Sequence, residues 1–529
     1  MSPFRHPAIR YHGRLYACLG TETSRFHVPR KNPTFIGIPE QTLCEKNPNL
    51  VCAIQIGAGT PYSKSSLLGT SVTGNVYVVG NFEVDAPFTF QNALVKIDSG
   101  VTISIAGSPN GYDNGGSLGI NNSKLFACDS LWKGITMGFL SSINTWNNSE
   151  IEDAETAIYA SGFSALSIQQ TTFNRNRVGI ELNTPFPNIW ILGPVIWVFT
   201  GNHFICNAPL NGTTNEITQV GVKLKDSDLL PLFANNNNTF QGIIKGILAE
   251  GNASNVYADD YDFISIRDRG IDFKGRSLEV RNSTFQNIAA NGIYFYKSSQ
   301  LLLTNNEFYL EEINDLMVFR YMVEVNMPNP DNDLHINDNY FRISGALPDW
   351  NISAIQFSTQ TLSTFRAVIE LNTFDLLNPS LQINGEPPFP VGSASDGVAM
   401  FGSHTSDSDI AIELNHFNVD IARPSNNKGV LAKGGSKHNI HVNGNHFTGG
   451  GTHIHYWGSP NGGQNEITSN TIDPSTFFGI GVLVRDFPQT TICSNTNNGA
   501  SFVGYLLNGK NPGTVFSDNT TYGGWQQAL

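Results

Sequence analysis

Charge is scarce in this chain. Asp, Glu, Lys and Arg make up only 14% of its 529 residues, which excludes a disordered polyelectrolyte and an ordinary helical bundle. Long apolar runs are missing as well. No stretch of ~18 apolar residues occurs, so no membrane span is expected. Met1–Gly20 holds Arg5, Arg10 and Arg14 but no continuous apolar core, so no signal peptide is expected there. Cysteine is sparse: Cys18, Cys44, Cys52, Cys128, Cys206 and Cys493. They form no CxxC pair and no spacing suited to a metal, so no metal site is expected from them. Cys44 and Cys52 are the only near pair and could close a small loop in an exported protein; buried thiols are the alternative for the others. No phosphate loop or dinucleotide fingerprint is present, nor a Ser or Cys nucleophile with a matched base.

What is present is glycine (51 residues), abundant asparagine and a net charge of −13 with a pI near 5.4. An acidic surface repels nucleic acid and anionic membrane, so neither is an expected partner. The Gly and Asn content fits many short strands joined by tight turns.

One phrase recurs: Asn202-His203-Phe204, Asn238-Thr239-Phe240, Asn306-Glu307-Phe308, Asn339-Tyr340-Phe341, Asn372-Thr373-Phe374, Asn415-His416-Phe417 and Asn445-His446-Phe447. Later copies keep the polar start, and Asn445, Asn470, Asn495 and Asn519 follow one another at steps of 25, 25 and 24. Phe240, Phe263, Phe285 and Phe308 step by 23, 22 and 23. A fixed step of this size marks a solenoid. The steps of 33 before Phe341 and Phe374 read as one turn plus a loop. The step of 43 before Phe417 reads as two turns or one turn with an insertion; Pro387-Pro388-Phe389-Pro390 favours the insertion. Pro185 to Pro194 marks a second one.

In a coil of parallel strands, equivalent positions of successive turns lie about 4.8 Å apart. Phe is then expected to stack as an inner column. Asn is expected at a left-handed corner, with its amide bonding along the stack. A Gly-Ile element (Gly134-Ile135, Gly179-Ile180, Gly242-Ile243, Gly292-Ile293, Gly479-Ile480) is expected to open the following strand. Residues 1–56, rich in proline, read as an irregular leader or cap, and 57–529 as the coil.

The succession Leu131-Trp132-Lys133-Gly134-Ile135, Asn148-Ser149-Glu150-Ile151-Glu152-Asp153-Ala154, Thr171-Thr172-Phe173-Asn174 and Val178-Gly179-Ile180 resembles secreted bacterial right-handed parallel β-helix repeat proteins of the pectin-lyase-like fold. The resemblance spans roughly Gly74 to Tyr522. It implies an all-β solenoid and leaves function open, since the fold hosts lyases, hydrolases, epimerases, tailspikes and adhesins.

Three clusters are candidates for chemistry. Asp259, Asp260 and Asp262 could supply the two carboxyls of glycoside hydrolysis, with a solvated turn as the alternative. The family companions of such a pair have no counterparts in this sequence. Among the basic residues that follow, Lys274 and Arg276 could neutralise a uronate and abstract its proton, with calcium assisting as the resemblance allows; surface ion pairs with Asp268 and Asp272 are the alternative. His441, His453, His455 and Trp457 could bind a sugar ring, the last three facing outward together if Ile454 and Tyr456 face inward. His203, His416 and His446 share one repeat position. The expectation is an extracellular or cell-surface β-helix protein, structural or adhesive, that engages polysaccharide or a cell-surface glycan through a sheet face and loops. The alternative is a polysaccharide lyase or glycoside hydrolase.

Overall fold

The computed structural model describes residues 41–47, 49–108, 115–185, 193–311, 320–326, 332–344, 351–358, 365–377, 394–401, 409–419, 427–433, 439–458, 464–474, 479–499 and 503–522. All belong to one unit, Gln41–Leu529. The strands wind into a three-sided coil. Each turn has a strand on side three, a sharp corner, a short strand on side one that carries the Phe, and a strand on side two that carries the Gly-Ile element. One turn provides an example: Gln300–Thr304, then Glu307–Leu310, then Arg320–Asn326. Equivalent strands pair in parallel with the turn before and the turn after. Among the described residues this builds sheets of 23, 16 and 10 strands; in the early turns, side three is continuous with side one.

The Phe column is continuous from Phe173 to Phe447. Phe173 lies 4.7 Å from Phe204 with the rings nearly parallel, and Phe417 lies 4.7 Å from Phe447. These spacings equal the rise of the coil. Each buried ring is worth ~1.5–3 kcal/mol of burial. Phe374 stacks directly on Phe417 at 4.6 Å, so the 43-residue step is one turn with an insertion. The inserted proline run itself lies outside the described residues, as does 186–192 of the other insertion.

The Asn column is buried and bonded vertically. Asn306 Nδ2 donates to Asn339 Oδ1 at 2.9 Å and to the Val280 carbonyl at 2.9 Å. Asn339 donates in the same way to Asn372. The left-handed residue is not the Asn but the one before it: Asn305, Asp338, Leu371, Leu414 and Ser469 have φ of 56, 57, 57, 55 and 57°. That residue turns the chain so that the Asn amide points into the stack.

Of the five Gly-Ile glycines, only Gly179 and Gly292 stand in one column; Gly134 pairs with Thr156, one place ahead of it, and Gly479 precedes the column's Gly481. Gly179, Gly221, Gly246, Gly270 and Gly292 form a column, and a Cβ at Gly270 would lie 2.9 Å from the ring of Phe285 in the next turn. Gly242 is instead a turn residue with φ +67°; its coil's column glycine is Gly246. Text of the same kind occurs twice in that turn, and only the copy at Gly246 meets a Phe ring.

The Cys44–Cys52 pairing does not form. Thr42 caps the helical turn Leu43–Lys46 in a capping box with Glu45, and the Leu43 N–H donates to Glu152 Oε2 at 3.0 Å. This seats Cys44 beside Cys128, and the two are bonded. Cys52, Cys206 and Cys493 are free thiols; Cys18 lies outside the described residues. No helix among the described residues is long and apolar enough to cross a membrane.

Candidate functional site

The coil separates the acidic and basic candidates. Asp259 ends the side-three strand Asn255–Asp259, where its carboxylate accepts from Asn282 Nδ2 at 2.7 Å and from the Tyr257 hydroxyl at 3.2 Å. Asp260 is the left-handed corner, φ 58°. Tyr261 fills the Asn position beside it and is fully buried. Asp262 lies beyond the corner, on side one. Lys274 and Arg276 occupy the opposite corner, between the strands Arg269–Phe273 and Ser277–Arg281, one strand length of roughly 16 Å away. Their neighbours are spent on local contacts. Arg269 Nη1 pairs with Asp272 at 2.8 Å, and Arg281 Nε pairs with Glu279 at 2.6 Å.

The histidines also divide. His441 stands on side three, its Nδ1 3.1 Å from Glu466 Oε2. His455 and Trp457 stand together on side two, rings parallel at 6.1 Å. Lys433 and Arg485 lie over the Trp457 ring at 4.6 and 5.5 Å from the turns on either side. His453 does not face outward with them. It is completely buried, because it takes a place in the glycine column, where the strand start is buried at three successive positions, Thr452, His453 and Ile454. Burial lowers its pKa to about 4. His416 and His446 do face outward, ring to ring at 5.0 Å, and His446 Nε2 lies 2.6 Å from Asp473.

Asp262 borders a groove along the corner between sides three and one, most of whose residues sequence reading did not single out as a site. Trp146, Gln169 and Thr200 are in register on side three. Asn147, Gln170, Gly201 and Asn237 stack at the corner itself, with φ of 58, 47, 66 and 54°. Thr172, His203, Thr239 and Asp262 are in register on side one. Two adjoining hollows of about 390 and 400 Å³ share Gln170, Gly201 and Asn237. The amides offer donors and acceptors together, and the hydroxyls do the same. Asp262 is the one carboxylate in the lining, and no Lys or Arg lines it. Burial depresses the pKa of His203, with Asp262 opposing, which favours the neutral imidazole. Among the described residues no group of three or more His, Cys, Asp or Glu is placed to hold a metal ion.

Wound strands, an inner Phe column and a corner amide ladder define a right-handed parallel β-helix repeat protein. Residues 220–345 match the family described as right handed beta helix region. Twenty-two chains of solved structures match. Among them is the tailspike protein of E. coli bacteriophage HK620 in complex with pentasaccharide, at 10% identity over 82% of this chain and 73% of that one, TM-score 0.30. A mutant of that tailspike matches over 81% and 71% at 10% identity, TM-score 0.33. Another, in complex with hexasaccharide, matches over 85% and 73% at 9% identity, TM-score 0.30. No curated protein matches the chain.

Proposed function

We propose that the protein is an extracellular or cell-surface β-helix of structural or adhesive type, and that it binds an uncharged polysaccharide along this corner groove. The observation that carries the reading is the lining: stacked amides, hydroxyls, one indole, one imidazole and one carboxylate, without Lys or Arg. Such a surface matches sugar hydroxyls, each of which donates and accepts. It offers nothing to balance the charge of a uronate. The Cys44–Cys128 bond supports an oxidising compartment.

Cleavage finds less support. Hydrolysis needs two carboxyls flanking the bond, and the groove has Asp262 alone. Lys274 and Arg276 stand on another corner. A glycan array combined with assays for reducing ends and for unsaturated uronate tests the reading. Binding to neutral glycans without turnover is expected, with Asn147→Ala/Gln170→Ala weakening it at least tenfold. Turnover lost in Asp262→Asn would overturn it in favour of a hydrolase.

A further inference from the structure

Beside the groove, on the strand that carries Thr200 and just ahead of Ala234–Asn236, the protein exposes two aromatic rings. Trp197 is 46% exposed and Phe233 is 72% exposed. Their centroids are 5.7 Å apart at 38°. Leu230 and Leu232 are exposed next to them. Apolar surface of this kind costs free energy unless something covers it.

The backbone presents these rings rather than merely tolerating them. Leu166 pairs with Ile196 and Ser167 with Val198, so Trp197 is the extra residue of a bulge. Ile196 and Phe199 stay in the core, while the bulge turns Trp197 outward. The Leu232 N–H donates to the Ile196 carbonyl at 3.1 Å, and the Phe233 N–H to the Trp197 carbonyl at 2.9 Å. The backbone beneath both rings is thus fixed before any partner arrives, which reduces the entropy lost on binding.

Trp197 and Thr200 share one strand, so the rings lie roughly 10 Å from the groove along it. Resting on the groove reading above, we propose that Trp197 and Phe233 form a sugar-stacking platform that continues the groove. The ligand is then an oligomer of neutral pyranoses: the apolar ring faces lie on the platform and the hydroxyls meet the corner amides. A second protein copy is a poorer occupant. By their usual areas, the four side chains expose roughly 400 Å², whereas a stable interface buries about 800 Å² per partner.

The test titrates the full chain with malto-, cello-, manno- and galactohexaose, and with hexagalacturonate as the charged control, by calorimetry. Sugar C–H resonances are followed by NMR in parallel. Trp197→Ala/Phe233→Ala is expected to weaken the best neutral hexaose roughly 30-fold and to abolish the ring-current shift of its C–H protons. Trp197→Phe should restore part of both. Thermal melts confirm folding, since both rings are on the surface. Should this double variant bind like the wild type while Asn147→Ala/Gln170→Ala does not, the platform is refuted and the groove stands. Should no neutral hexaose bind, both fall. Unchanged sugar binding with a smaller sedimentation coefficient would mark the rings as a contact between copies and overturn the proposal.

Discussion

A single side chain shows how neighbouring turns set each other's identity. The column glycines from Gly179 to Gly429 meet the Phe of the following turn: a Cβ at Gly429 would lie 2.6 Å from Phe447. His453 occupies the next place in that column, and the following side-one residue is Ile472 in place of Phe. The missing ring leaves the imidazole room, packed 5.8 Å from Phe447. Neither ring nitrogen has a hydrogen-bond partner, and burial lowers the pKa to about 4, below ~6.5 for an unfolded His. Between these values the unfolded chain binds the proton and the folded chain does not. The contribution to stability is therefore full above about pH 6.5 and is lost as pH falls toward 4, to the extent of about 3 kcal/mol. Buried Asp153 and Asp396, with pKa raised to about 8 and about 6, act oppositely: what they contribute is lost as pH rises. The difference between wild type and His453→Gly isolates the histidine. Urea titrations at pH 7 and 4.5 should show a shallower acid loss in the variant, and equal slopes would refute the assignment. Alternation of inward and outward residues placed Tyr456 correctly. It failed for His453 because alternation does not hold where a strand leaves its corner.

At the level of the strand and its corner, most of the architecture was legible. The repeated phrase gave the Phe column, and its spacing gave the turn length. The groove was not legible, because Asn147, Gln170, Gly201 and Asn237 are separated by unequal loops. Each alone reads as a turn residue; only the registration of turns makes them neighbours. The ladder itself is testable at Asn339. Its Oδ1 accepts from the Asn306 backbone N–H and Nδ2, both at 2.9 Å. Its Nδ2 donates to Asn372 Oδ1, the Leu303 carbonyl and the Asn337 carbonyl. Asn339→Leu strands several buried groups at once, each costing ~1–3 kcal/mol, so a loss of at least about 3 kcal/mol in denaturant melts is expected. Thr373→Val, on the outward face of the neighbouring turn, should change stability by less than about 0.5 kcal/mol. Ser283, which stands in the column and accepts from the Tyr261 N–H, shows that a smaller polar group can hold the place. Asn339→Ser should accordingly lose less than Asn339→Leu. An equal loss in both would show that the amide ladder does not carry the corner.

Over the whole molecule, charge separates the two classes of glycan. The chain carries a net −13, and its groove adds a carboxylate without a cation. The basic residues are dispersed: Arg269 and Lys245 pair with Asp272 on side two, and Lys124 pairs with Glu150 at 2.9 Å on side one. A polyuronate approaching the groove is repelled both by the long-range field and by Asp262 at contact. Salt screens the first of these over about 10 Å at 0.1 M, while the second persists at short range. A neutral glycan experiences neither, and its hydrogen bonds to amides are nearly indifferent to ionic strength. The affinity for a neutral hexaose should therefore change by less than about twofold between 20 and 500 mM NaCl, where phosphate-type ion pairing would change it by orders of magnitude. Hexagalacturonate should stay unbound at low salt. Tight uronate binding that weakens as salt rises would require a cationic surface that the corner does not have, and would move the site to the other faces, where Lys433 and Arg485 flank Trp457.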